Sequence, residues 1–188
     1  MINATHFVLD LETMGNRPSS AIVAIGCVRI ENLAITGEFY RRVALASSLK
    51  VGLTTDASTI NWWLQQDEDA RKEITGEGAN LFEALLDLCE FIGADPYGKP
   101  NQAALLWGNG CSFDNVIIGN AFDAHRLERP WCFWNDRDMR TLLAIFPKAK
   151  QLAFEGTKHH ALNDAKHEAN QLLSVLQSMA EAEEETRV

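Results

Sequence analysis

The chain has 188 residues, 46% of them hydrophobic, and a formal net charge of −9. This length fits one domain with a sizeable core. No apolar run reaches the roughly 18 residues that would indicate a membrane span. The first residues lack the basic and apolar stretches of a secretion signal, so we expect a cytoplasmic protein. The cysteines are too far apart for a zinc knuckle or a disulfide framework, and we expect buried thiols at Cys27, Cys89, Cys111 and Cys132.

Taken in chain order, the first half predicts three strands followed by two helices. Alternating or continuous apolar residues predict strands at about 5–12, 21–30 and 35–43, and the third is polar enough to be an edge strand. Helical spacing follows at 57–66 and at 80–93. Asn80, with Glu83 three residues later, resembles a capping box at the start of the second helix.

The second half alternates strands with helices. We predict a strand at 103–107, a helix at about 112–126, a short strand from Trp131 to Trp134, a helix from an Asp136 cap to Phe146, and a last helix at about 162–179. The acidic end, 181–188, is expected to be disordered. This order of elements predicts an α/β fold, a mixed β-sheet flanked by α-helices, in one domain over residues 1–180.

Two carboxylates lie on alternate positions of the first predicted strand, at Asp10 and Glu12. Side chains two residues apart on a strand point to the same face, so these two acids project together. Burying two like charges side by side is costly unless a cation lies between them. The pattern therefore indicates a metal site.

Further candidate ligands follow later elements. Asp114 comes shortly after the strand that ends at Trp107, and Asp164 lies in the first turn of the last helix, preceded by His159 and His160. Oxygen ligands without thiolates favour Mg²⁺ or Mn²⁺ over zinc. Two such ions about 3.5–4 Å apart can stabilise the attacking and leaving oxygens of a displacement at phosphorus. A neutral histidine can take the proton from the attacking water.

Three segments resemble the motifs of the DEDDh 3′–5′ exonucleases. Val8 to Thr13 resembles the first motif, Asn109 to Asp114 is similar to the second, and His159 to Ala165 matches the His-x-Ala-x-x-Asp-Ala form of the third. The resemblance covers essentially the whole chain. The Trp62-Trp63 pair and the Trp107-Gly-Asn-Gly segment are most similar to the branch of RNase AS-like exoribonucleases and phage exonuclease A-type enzymes.

This resemblance implies a ribonuclease H-like fold and a two-metal-ion 3′–5′ exonuclease that releases nucleoside 5′-monophosphates from single-stranded RNA or DNA 3′ ends, with RNA favoured. It implies two Mg²⁺ or Mn²⁺ ions per site, held by Asp10, Glu12, Asp114 and Asp164. Helical i,i+4 spacing alone would pair His160 with Asp164. The family pattern instead makes His159 the catalytic base.

Expected substrate contacts follow from the resemblance and from exposure. In similar enzymes the turn after the first motif meets the terminal nucleotide, which implies contacts from Thr13 and Met14. In helix 57–66, Trp63 lies on the apolar face and is expected in the core. Trp62 lies off that face, with Gln66 one turn on, and is a candidate for base stacking. The alternative, that both tryptophans simply pack, stays open at this point.

Three other interpretations apply to the same residues. His160, Asp164 and His167 could form a transition-metal site on one helical face, but that leaves Asp10 and Glu12 unexplained. A catalytically silent nucleic-acid-binding domain would gain nothing from buried, uncompensated carboxylates. A hydrolase of very short oligonucleotides remains an alternative. The candidate ligands and the acidic end account for nearly all of the net negative charge. The near-neutral remainder can therefore bind the end of a nucleic-acid strand, but tight binding of long duplexes is not expected. The oligomeric state stays open, with a homodimer as one option.

Overall fold

A mixed β-sheet of five strands organises the fold, in the order β3-β2-β1-β4-β5. The computed structural model describes residues 2 and 4–186. β2 pairs antiparallel with both β1 and β3, whereas β4 runs parallel to β1 and to β5. The predicted mixed sheet and α/β class are thus confirmed, with β3 at one edge as expected. The strands are β1 (Thr5–Thr13), β2 (Ile22–Glu31), β3 (Ala34–Arg42), β4 (Ala104–Gly108) and β5 (Asp136–Asp138).

Helices cover both faces of this sheet. Two of them, α1 and α3, have no counterpart in the sequence prediction, and the predicted helix 57–66 begins after the side-chain cap of Asp56, which accepts from the Ser58 backbone N–H. Asn80 caps α4 as predicted. The helices are α1 (Leu45–Lys50), α2 (Ala57–Leu64), α3 (Glu68–Thr75), α4 (Leu81–Ile92), α5 (Asp114–Ala124), α6 (Met139–Ile145) and α7 (Ala161–Glu185).

Alternation along β1 divides the core into two layers. Phe7, Leu9 and Leu11 pack on one side in a cluster that also holds the apolar faces of α4 and α5. Val8 packs on the other side, in a cluster with the apolar residues of α6 and α7. Side chains that share the parity of Val8 therefore face α7. This is the face on which Asp10 lies.

The start of α7 approaches β2 closely at Gly26. A Cβ atom added to Gly26 would lie 2.2 Å from the backbone carbon and oxygen of Ala161, the first residue of α7. The absence of a side chain at this position lets the helix start rest directly on the sheet. Gly26 is paired with Asp10 on β1, so the same contact brings the start of α7 over the candidate site.

The short strand predicted from Trp131 to Trp134 is wrong. The fifth strand is Asp136–Asp138, which pairs with Leu106 to Gly108, and a 3-10 turn occupies Phe133–Asn135. The following helix begins at Met139 and is capped by Asp138, not by Asp136. Aromatic residues favour strands by propensity, but here the Asp136 carboxylate accepts from Trp131 Nε1 at 2.8 Å and anchors the later segment beside β4.

The end of α7 also differs from prediction. The helix continues through Glu185, so residues 181–185, expected to be disordered, form its exposed last turns. Residues 187 and 188 lie outside the described part of the chain. All four cysteines are free, and Cys111 is only half-buried. Among the described residues, no helix is long and apolar enough to cross a membrane.

The Gly26 contact predicts a strong effect of one added methyl group. We expect Gly26→Ala to lower the free energy of unfolding by about 3 kcal/mol, because the new Cβ would overlap backbone atoms that cannot rotate away. Gly37→Ala on β3 is the matched control, since its Cβ would meet the Phe91 ring at 3.1 Å and other side-chain atoms that can move. Urea unfolding of both variants tests this. Equal stability losses would contradict the close-approach argument.

Candidate active site

Two backbone features set the positions of the carboxylates at the ends of β1 and β4. β4 ends at Gly108, paired with Leu9, so the β1 backbone beyond that pair is open on this side. The Leu11 backbone N–H donates to Oδ1 of Asp114 at 3.3 Å, which brings the first turn of α5 against β1. Asp114 is 3% exposed and Glu12 is 8% exposed, whereas Asp10 is half-buried.

The start of α7 supplies the other members of the site. Atoms of Glu12, His159 and Asp164 that could bind a metal ion all lie within 4.8 Å of one another. His159 has a φ of 60°, a left-handed conformation that is uncommon for a residue with a side chain. Backbone strain of this kind often occurs at functional sites. The structure thus brings the first and third sequence motifs into contact.

The two adjacent histidines point to different surroundings. The His160 ring stacks on Tyr40, with centroids 4.7 Å apart, and its Nε2 lies 3.8 Å from Oε1 of Glu73. The His160 backbone N–H donates to Oδ2 of Asp164 at 3.1 Å. His160 therefore contacts Asp164 through its backbone, while its ring joins a separate polar group. His159 is the histidine whose ring lies with the carboxylates.

The pKa values of the four carboxylates of this site are all raised, with burial as the main cause. Burial, followed by the charge of Asp164, raises the pKa of Glu12 to about 9. Burial raises the pKa of Asp114 to about 7, against the lowering effect of the Leu11 N–H. Burial, followed by neighbouring carboxylates, raises the pKa of Asp10 well above its usual value. The pKa of Asp164 is also raised by burial, although His159 opposes this. A bound divalent cation would reverse this balance.

A cavity of about 230 Å³ adjoins the carboxylates on the side of α2. Glu12, Thr13, Trp62, Trp63 and Phe113 are among the residues that line it. Trp63 is 1% exposed and belongs to the core, as predicted. Trp62 is 41% exposed, and its ring lies edge-on to the His159 ring at 4.9 Å. An exposed indole beside the candidate base is suited to stacking on a nucleobase.

Two of the predicted substrate contacts are not at this cavity. The Met14 side chain is buried in the main core, and its backbone N–H and C=O pair with Ala21 and Asp56. Gln66 lies beyond the end of α2, where its Nε2 donates to the Trp62 carbonyl at 2.9 Å. The substrate contacts predicted for Met14 and Gln66 therefore stay predictions that this cavity does not support. Thr13 lines the cavity, but its hydroxyl already donates to the Gly15 carbonyl at 2.7 Å.

Two buried acids beside the site were missed by the sequence analysis. Glu73, on α3, is 2% exposed and accepts from the Tyr40 hydroxyl at 2.9 and 3.0 Å. Glu168, on α7, is 4% exposed and lies one helical turn after Asp164. No sequence pattern predicts the burial of Glu73, because the segment around it is mostly charged. The i,i+4 spacing of Asp164 and Glu168 was visible in the sequence and would have placed both on one helix face.

Comparison with known proteins gives matches to nucleases. A family model described as a 3′-5′ exoribonuclease Rv2179c-like domain matches residues 5–176. An exodeoxyribonuclease of Enterobacteria phage T4 is 28% identical, over 72% of this chain and 69% of the relative. The nuclease domain of 3′hExo, a DEDDh family member bound to rAMP, superposes with a TM-score of 0.61 at 16% identity, over 94% of this chain and 93% of that one. A zinc-bound E. coli ExoI–ssDNA complex gives a TM-score of 0.62 at 13% identity, over 95% of this chain and 41% of that one.

The fold is therefore that of the DEDDh nucleases, and the predicted ribonuclease H-like architecture is confirmed. The chain belongs to the family of Rv2179c-like 3′-5′ exoribonuclease domains, and it is an exonuclease by class. The expected similarity to phage exonucleases is confirmed as well.

The raised pKa values predict how the metal-free protein responds to pH. Because the pKa values of Glu12 and Asp114 are raised to about 9 and about 7 on folding, the folded state binds more protons than the unfolded state above about pH 5. Stability should therefore be lost as pH rises through these values. In chelator, we expect Tm to fall by at least about 5 °C between about pH 6 and pH 9, since 1 kcal/mol corresponds to about 2–4 °C at this size.

Two comparisons isolate this effect. Millimolar Mg²⁺ should remove most of the decline, because a bound cation favours ionised carboxylates. Glu12→Gln, which replaces the acid with a neutral side chain of the same shape, should make the decline in chelator shallower. Differential scanning calorimetry measures all three conditions. A Tm of the metal-free protein that rises across this pH range would contradict the proposed burial of ionisable charge.

Proposed function

We propose that this protein is a metal-dependent 3′–5′ exonuclease that removes nucleoside 5′-monophosphates from single-stranded ends, with RNA as the favoured substrate. The observation that carries the proposal is the group formed by Glu12, His159 and Asp164, whose ligand atoms all lie within 4.8 Å of one another. A histidine held against two carboxylates on a phosphodiesterase fold is the arrangement expected for metal-assisted hydrolysis.

The donor set fits two hard divalent cations. Asp10, Glu12, Asp114 and Asp164 offer only oxygen atoms, which suit Mg²⁺ or Mn²⁺. Burial raises the pKa of all four acids, so the chain itself does little to stabilise their ionised forms, and two cations would stabilise them. When bound, such ions stabilise negative charge on the attacking oxygen, the leaving oxygen and the phosphate. We therefore assign these four acids as the metal ligands.

The protein side chains supply the proton transfer and the positioning. His159 accepts a proton from the attacking water, whose oxygen forms a bond to phosphorus while the bond to the 3′ oxygen of the preceding nucleotide breaks. The departing 3′ oxygen takes up a proton from solvent water, so the products are a nucleoside 5′-monophosphate and a new 3′ hydroxyl group. The terminal nucleotide is placed in the cavity beside Thr13 and Phe113, with its base against the exposed Trp62 ring.

RNA is favoured because the matching family model describes exoribonucleases and covers nearly the whole described chain. The T4 phage relative is an exodeoxyribonuclease, and this observation supports DNA as the second candidate substrate. The silent nucleic-acid-binding domain is the weaker proposal, since a histidine and two acids in contact serve no purpose in a module that only binds. Very short oligonucleotides remain compatible with a cavity of about 230 Å³.

The proposal predicts a polarity and a product. With Mg²⁺ or Mn²⁺, 3′-labelled linear RNA should release labelled mononucleotide at once, while 5′-labelled RNA should shorten as a ladder. DNA of the same sequence should be degraded more slowly, and a circular strand should stay intact. Gel electrophoresis and thin-layer chromatography of the products measure this. Efficient cutting of the circle would refute an exonuclease.

Substitutions of the acids provide the matched control for this assay. Asp164→Asn should lower turnover by about 10²–10⁴-fold, because charge stabilisation by a bound cation is worth several kcal/mol. Asp69→Asn removes a carboxylate from an exposed position outside the site and should leave turnover unchanged.

The two adjacent histidines give a second prediction. His159→Ala should lower the single-turnover rate by about 10²–10⁴-fold, the usual contribution of general acid–base catalysis, while the protein stays folded. His160→Ala should lose much less, because its ring contacts Tyr40 and Glu73 rather than the carboxylate pair. Rapid-quench measurements with saturating Mn²⁺ compare the two. A dead His160→Ala enzyme beside a near-normal His159→Ala enzyme would reverse the assignment of the base.

A further inference from the structure

Glu168 is a buried acid that the proposed mechanism does not use. It lies on α7, four residues after Asp164, and is 4% exposed. Its Oε2 atom is buried and has no hydrogen-bond partner. An ionised or polar atom buried without a partner costs free energy, so a group in this state calls for an explanation.

The charges around Glu168 are those of the candidate metal site. Asp164, a candidate ligand, lies one turn earlier on the same face of α7. Val8, which shares the face of β1 with Asp10, belongs to one buried cluster with Ala165 and Ala169 on either side of Glu168. Burial raises the pKa of the Glu168 carboxyl, and the charges of Asp114 and Asp164 raise it further, whereas a hydrogen bond with Asn109 and the charge of Arg140 lower it. Glu168 is therefore a further acid beside the four candidate ligands.

Glu168 also faces open space and not only packed protein. Together with Asn109, Arg140 and Asp164 it lines a cavity of about 440 Å³ that adjoins the site between α6 and α7. The Arg140 Nε donates to Oδ1 of Asn109 at 3.2 Å, and the positive charge of Arg140 lies near enough to lower the pKa of Glu168. Glu168 thus borders a cavity that it shares with Asp164, a candidate ligand.

We propose that Glu168 is a fifth carboxylate of the metal site, on the side of Asp10 and Asp114. Its Oε2 accepts hydrogen bonds from water bound to a divalent cation held by those two acids. Glu168 is not part of the tight group formed by Glu12, His159 and Asp164, which suits contact through water rather than direct ligation. Mg²⁺ commonly keeps several of its waters in protein sites, and such waters need acceptors. This inference rests on the metal site of the proposed function.

A purely structural role makes a different prediction. If Glu168 were a protonated acid that only packs between α7 and Asn109, glutamine would reproduce its shape and its hydrogen bonds. Glu168→Gln would then bind metal as the wild type does. If Glu168 accepts hydrogen bonds from cation-bound water, the same variant should bind metal less tightly, because an amide offers neither the charge nor both acceptor oxygens.

The test is a titration of the metal-free protein with Mn²⁺, followed by electron paramagnetic resonance of the free ion. We expect Glu168→Gln to weaken the binding of one Mn²⁺ by about 10–100-fold, the usual effect of losing an acceptor behind a metal ligand. Glu181→Gln is the control, since it removes the same charge from an exposed position of the same helix and should bind Mn²⁺ as the wild type does. The Tm in chelator should not fall in Glu168→Gln, because a repelling charge has been removed.

Wild-type Mn²⁺ affinity and stoichiometry in Glu168→Gln would overturn the inference. If that variant does not fold, Glu168→Asp is used instead, because it keeps the charge but shortens the side chain by one methylene group. Unchanged Mn²⁺ binding by Glu168→Asp would also overturn the inference. The readout does not depend on turnover. If the protein degrades RNA but Glu168→Gln binds Mn²⁺ as the wild type does, only this inference is overturned. If Glu168→Gln binds Mn²⁺ less tightly than the wild type but the wild type degrades neither RNA nor DNA, only the proposed function is overturned.

Discussion

Repulsion between buried carboxylates is the constraint on which this structure depends. Asp10, Glu12, Asp114 and Asp164 converge where little water can screen them, and burial raises the pKa of each. Such an arrangement lowers the stability of the metal-free chain when the acids are ionised, and a bound cation would compensate for this loss. The same repulsion that destabilises the fold is what gives a divalent cation its binding energy. Stability and metal binding are therefore two aspects of one charge distribution.

The fold holds these groups in place mainly through backbone contacts. The Leu11 N–H donates to Asp114, and the His160 N–H donates to Asp164, so both acids are oriented by main-chain atoms. Gly26 allows the start of α7 to lie directly on β2. Backbone donors do not lose rotamer freedom when they bind, and they cannot swing away from a repelling neighbour. They are thus well suited to hold acids that would otherwise separate.

The sequence predicted the acids of the three motifs better than the surroundings of those acids. Alternation along β1 was sufficient to place Asp10 and Glu12 on one face, because the period of a strand is fixed by covalent geometry. Glu73 could not be found, since its burial depends on Tyr40 and Arg42 of a strand distant in sequence. The strand at Trp131–Trp134 failed for a related reason. The partner of an edge strand is selected by tertiary contacts, such as that of Asp136 with Asn115, and not by local propensity.

The histidine pair shows how local periodicity and tertiary structure can both hold. Helical spacing predicts contact between His160 and Asp164, and that contact exists, but it is made by the His160 backbone. The left-handed φ of 60° at His159 turns the chain just before α7, whereas His160 is extended with a φ of −119°. Because these two successive residues have such different backbone conformations, their rings point in different directions. One ring lies with Glu12 and Asp164, and the other stacks on Tyr40 beside Glu73. The contacts of the His160 ring with Tyr40 and Glu73 thus lie on one side of the turn, and the His159 ring lies with the carboxylates on the other side.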